Sequence, residues 1–113
     1  MTDLNSFLDG LNSFEQRRTQ ARAEGLNALQ RLADAARDDT GQSEIIGRFL
    51  LGLYNGYAYP FSLVSLRGLD IDLHDDCMAV LRLDYQPEQE VHEYLTDGPA
   101  LFQQLRQRLT QEG

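Results

Sequence analysis

Apolar residues recur with a helical period along almost the whole chain. Leu4, Phe7, Leu8, Leu11 and Phe14 fall at i, i+3, i+4, i+7 and i+10, one stripe on an amphipathic helix that Asp3 is placed to cap. Glu15 to Glu24 is polar and rich in Arg, Gln and Ala, all good helix formers with little to bury. It reads as a solvated connector or as a continuation of the first helix. Leu26, Leu29, Ala33 and Ala36, with Leu32 beside them, form a second stripe that Asp38-Asp39-Thr40-Gly41 should end.

Thr40 or Ser43 can cap the next helix. Ile45, Ile46, Phe49, Leu50 and Leu53 give it the widest apolar face of the chain, so it is the expected central helix. Its Gly47 and Gly52 lower helix propensity and permit close approach of a neighbour. Asn55-Gly56 stops it and Tyr57 to Phe61 follows as an aromatic loop, extended ahead of Pro60. A hairpin is the weaker reading there, because the flanks are short and poorly alternating. Ser62 should cap a short helix from Leu63 to Leu69. Asp70 or Asp72 should cap another, with Leu73, Cys77, Val80 and Leu81 inward. Pro87 suits a first helical position and predicts a helix with Val91, Tyr94 and Leu95 on one side, ended by Asp97-Gly98-Pro99. Leu101, Phe102, Leu105 and Leu109 mark the last helix. The sum is an all-α fold, a compact bundle of six or seven short helices. Residues 1–24 form an N-terminal amphipathic helix with its polar connector, and residues 25–113 form a helical core domain.

At 113 residues with 42% apolar composition, one core without metal or disulfide staples is expected. Charge changes the picture more. The net charge is −8, there is no lysine, and all ten basic residues are arginine. Both histidines and nine of the eighteen acids lie between Asp70 and Asp97: Asp70, Asp72, Asp75, Asp76, Asp84, Glu88, Glu90, Glu93 and Asp97. Arg82 is the segment's only basic residue, so its formal charge is −8, equal to that of the whole chain. Such a balance argues against nucleic-acid and anionic-membrane binding, which need clustered cations. It suits a basic protein partner or, more blandly, solubility. The single Cys77 excludes an intrachain disulfide, and the N-terminus has no secretory pattern, so the expected location is the cytoplasm.

Two chemistries compete for the acidic segment. As a protein-binding face it offers Asp75, Asp76, Glu90 and Glu93, with Tyr57 and Tyr59 of the aromatic loop as candidate contacts. As the site of a metal-binding protein or a metal-dependent enzyme it offers His74, His92, Asp72, Asp76 and Glu88, since imidazoles and carboxylates at i, i+4 can converge on a transition metal. The spacing matches no stringent metal signature, and acids at helix starts are equally explained by capping and the helix dipole. No cofactor is expected. Cys77 sits on an apolar stripe beside Asp75 and Asp76, which favours a core residue over a nucleophile. No phosphate-binding glycine loop or nucleophile elbow occurs. The stripe Leu4, Phe7, Leu8, Leu11, Phe14, carried on a polar tether, predicts self-association into a homodimer.

Five strings carry a resemblance: Asp39-Thr-Gly-Gln-Ser43, Phe49-Leu-Leu-Gly-Leu-Tyr-Asn55, Leu66-Arg-Gly-Leu-Asp70, Asp76-Cys-Met-Ala-Val-Leu-Arg82 and Pro87-x-x-Glu-Val-His92-x-Tyr94. Together they resemble a family of small uncharacterised bacterial proteins found on integrative conjugative elements and prophage-like islands. The resemblance spans Leu26 to Leu105 and brings no activity or site with it. It implies an accessory or regulatory role in a mobile element. The reading that follows is a small, acidic, non-enzymatic protein that binds a protein partner.

Overall fold

The computed structural model describes residues 2–110. Four α-helices follow one another: α1 (Thr2–Ala36), α2 (Gly41–Tyr54), α3 (Ile71–Asp84) and α4 (Gly98–Thr110). Two short 3-10 segments, Leu63–Gly68 and Val91–Tyr94, complete the order, and no strand occurs among the described residues. The fold is all-helical, as the periodicity predicts. It is not six or seven short helices, for two physical reasons.

The first is that α1 is one helix of 35 residues. The polar stretch Glu15–Glu24 continues the helix rather than interrupting it. Its residues have high helix propensity, and the Gln20 side chain donates to Glu24 one turn on at 3.1 Å. A seam at alternating three- and four-residue steps runs unbroken through it, from Leu4, Phe7, Leu11, Phe14, Arg18 and Ala21 to Gly25, Ala28, Leu32 and Ala35. The buried face of the second half is centred on Ala28, Leu29, Leu32, Ala33 and Ala36, while Leu26 is only half-buried.

The second reason is that the segment after Pro87 does not form an α-helix. The Tyr94 hydroxyl accepts from the backbone N–H groups of Glu88 and Gln89, each at 3.3 Å. The Glu93 carboxylate accepts from Glu90 N at 3.2 Å. These bonds satisfy the amides from side chains and hold a tight 3-10 turn. The segment Leu63–Gly68 is likewise 3-10, and its Ser62 forms no side-chain cap.

Other boundaries follow local chemistry. Thr40 caps α2 by accepting from Ser43 N at 3.0 Å, and Asp70 caps α3 by accepting from Leu73 N at 2.9 Å. The Gln42 side chain accepts from Asp70 N at 2.7 Å, tying the start of α3 to the start of α2. Gly98 opens α4 instead of merely ending the element before it. A Cβ at Gly98 would collide with the His92 carbonyl, so only glycine lets α4 start beneath that turn.

The core is built where the helices cross. Ile46, Phe49, Leu50 and Leu51 of α2 meet α1 on one side and Leu101, Phe102, Leu105 and Leu109 of α4 on the other. Gly47 faces α4: a Cβ there would lie 2.7 Å from Leu109 Cδ1. Gly52 faces the aromatic loop instead, close to Phe61. α3 buries Cys77, Val80 and Leu83, whereas Leu81 turns outward at 38% exposure. It runs antiparallel to α1, placing Leu83 and Ala79 against Gly25 and Asp76 against Arg31.

Candidate functional site

α3 ends at Asp84, with Leu83 against Gly25 of α1, and towards its N-terminus α1 goes on alone. Every residue from Asp3 to Gln20 is exposed. The expected stripe is intact on this arm and uncovered: Leu4 is 60% exposed, Phe7 62%, Leu8 47%, Leu11 45% and Phe14 53%. The arm gives the molecule its long axis of 67 Å against cross-sections of 26 and 24 Å. At the step where α3 stops lies a groove of about 800 Å³. Phe14, Arg17, Arg18, Ala21 and Arg22 line it from α1, and Arg82, Leu83, Tyr85 and Tyr94 close its inner end. Arg18 lies over the Phe14 ring at 6.0 Å, and Arg22 reaches Glu88 at 2.9 Å. Tyr85 stays 82% exposed at the rim.

The acidic segment is partly neutralised across space. Asp76 is buried, and its carboxylate accepts from Arg31 Nη2 at 2.8 Å and from Nε at 3.0 Å. Glu88 pairs with Arg22, and Asp97 pairs with Arg37. Arg22 and Arg31 belong to α1 and Arg37 directly follows its last residue, and sequence reasoning missed all three pairings. The three arginines lie 45–66 residues from their partners, and only the antiparallel docking of α1 brings them there. Asp75 remains exposed, 3.9 Å from His74 Nδ1. Glu90 and Glu93 are exposed around the second 3-10 turn. Asp84 is half-buried there, and its carboxyl is pushed above the usual range by burial and then by Glu90.

The alternative metal set is not assembled. Among the described residues no group of three or more His, Cys, Asp or Glu side chains converges. Asp76 and Glu88 are held by arginines. The His92 ring packs edge-on to Tyr54 at 5.1 Å and against Phe102 at 6.0 Å, with its Nδ1 buried and unpaired. His74 sits on the outer side of α3.

The aromatic loop divides. Asn55 organises it by accepting from Ala58 N at 3.1 Å through its side chain. Phe61 packs edge-to-face on Phe49 at 5.7 Å, and Tyr59 leans on the core. Tyr57 points fully into solvent. Cys77 is fully buried, and its thiol is pushed up to about 12 by burial and, secondarily, by Asp76. It is a core residue, as its stripe predicts. No described helix is long and apolar enough to cross a membrane.

A family model matches residues 26–110, well over half of the chain. The chain belongs to the family of unknown function DUF7673. The match begins one residue after Gly25, where α1 first meets α3, and it covers the span over which the sequence shows its resemblance. No curated protein and no solved structure matches the chain.

Proposed function

We propose that this chain acts by binding proteins and not by catalysis. Its α1 arm pairs with a second copy, and the exposed acids Asp75, Glu90 and Glu93 meet a basic partner, with Tyr57 as an accessible contact. The observation that carries this reading is the uncovered arm: eighteen consecutive exposed residues bearing five large apolar side chains on one face. A contiguous apolar stripe on a surface otherwise charged marks an interaction site. The raised thiol of Cys77 and the engagement of Asp76 and Glu88 by arginines support a binding role over a nucleophilic or metal-assisted one. The role as an accessory or regulatory factor of a bacterial mobile element draws its support from the family resemblance.

Sedimentation tests the carrying observation. The full chain at tens of micromolar should run as a dimer. Phe7→Asp with Leu11→Asp should run as a monomer that keeps its helical spectrum and a cooperative melt, because both residues lie outside the core. A monomeric full chain at that concentration overturns the reading. For the acidic face, binding of an arginine-rich peptide should weaken steeply with added salt, and further when Asp75, Glu90 and Glu93 are made Asn or Gln.

A further inference from the structure

We infer that the second copy lies antiparallel on the arm, with its N-terminal tip seated in the groove where α3 stops. The inference rests on the self-association proposed above and adds its geometry. α3 already shows how the seam of α1 is covered: an antiparallel helix occupies it from Gly25 onward. Towards the N-terminus the same seam continues through Ala21, Arg18 and Phe14, and these residues line the empty groove. A partner arm running antiparallel to α1 runs in the same direction as α3. It therefore prolongs the track of α3, and its N-terminal end meets the C-terminal end of α3, the favourable order for two helix dipoles.

Register follows from the seam. Antiparallel pairs stack each first seam position on the partner's second, which here requires two facing residue numbers to add to about 25. Leu4 then faces the partner's Ala21, Phe7 the partner's Arg18, and Leu11 the partner's Phe14. The Arg18 guanidinium, which lies over Phe14 within its own chain, has a second aromatic face in the partner's Phe7. The exposed Tyr85 is covered by the arriving tip. Charge agrees: residues 3–14 carry Asp3 and Asp9 and no base, whereas the groove is lined by Arg17, Arg18, Arg22 and Arg82 against Glu15 and Glu88. A parallel pair would instead set Arg17 and Arg18 against themselves and force two copies of α3 into one seam. A shorter antiparallel overlap, stripe on stripe, would leave the groove empty and put Asp3 beside the partner's Glu15. Five half-exposed apolar side chains from each chain offer on the order of 1,000 Å², the size at which an interface becomes specific.

The experiment is a spin-label distance measurement on the full chain carrying Gln20→Cys with Cys77→Ala, its fold checked by circular dichroism. Residue 20 is exposed on the arm. With a rise of 1.5 Å per residue and helices about 10 Å apart, the inferred register places the two labels about 25 Å apart. The stripe-on-stripe register gives about 35 Å, and a parallel pair gives less than about 20 Å. Sedimentation of the same sample separates the two levels. A dimer at about 25 Å supports the inference, a dimer at either other distance overturns it while leaving self-association standing, and a monomer overturns both.

Discussion

Arg31 grips Asp76 from 45 residues away: two guanidinium nitrogens lie 2.8 and 3.0 Å from the two oxygens of one carboxylate. The pair is lopsided. The Arg31 side chain is 60% exposed, whereas that of Asp76 is 11% exposed. The arginine can return to water if its partner is lost, but the carboxylate cannot. Arg31→Ala should therefore lower the melting temperature more than Asp76→Asn, which keeps the shape and removes the buried charge. Thermal melts of the two variants decide it; the reverse order would mean that Asp76 is solvated without Arg31.

Phe49 anchors the central helix. It is 4% exposed and packs edge-to-face on Phe61. Phe49→Ala should cost about 3–5 kcal/mol in urea unfolding, the usual range for truncating a buried Phe. A loss below about 1 kcal/mol would place the core elsewhere.

Gly98→Ala tests the join between the second 3-10 turn and α4. The new methyl would meet the His92 carbonyl, a backbone atom that cannot swing aside. The expected loss is about 1–3 kcal/mol, the range for overpacking. Hydrogen exchange should speed first in residues 91–100, and Gly41→Ala, where nothing lies near the added carbon, provides the control.

Two raised pKa values give pH signatures. The Cys77 thiol rises from 9.0 to about 12, so its protonated form stabilises the fold at neutral pH and that contribution fades as pH climbs from about 9 towards 12. Native protein should resist thiol reagents at pH 8 and react at the rate of unfolding. Asp84 is also raised, from 3.8, by burial and by Glu90. Below that value its protonated form fits the site; above it the ionised form opposes folding. Asp84→Asn should raise the melting temperature at pH 7 and leave it nearly unchanged at pH 3. A fall at pH 7 would show that the carboxylate is stabilised in the fold.

The helical class, the core faces of α2 and α4, the cap positions to within two candidates each (Thr40 or Ser43, Asp70 or Asp72) and the core placement of Cys77 were legible in the sequence. Each depends on residues within a turn or two of one another, where period and capping chemistry act directly. The apolar stripe on residues 4–14 was legible for the same reason. What covers a stripe, and whether a polar stretch bends or continues, depends on distant residues. Glu15–Glu24 could have been tether or helix, and one uninterrupted α1 decided it. The acidic segment read as a single charged face; docking of α1 against α3 and the second 3-10 turn brought Arg22, Arg31 and Arg37 to three of its acids and left Asp75, Glu90 and Glu93 outside. The groove beside Tyr85 has no trace in the sequence, because it exists only where one helix ends against another that does not. Local order is written in neighbouring residues, whereas ion pairing and open surface are properties of how finished helices of unequal length meet.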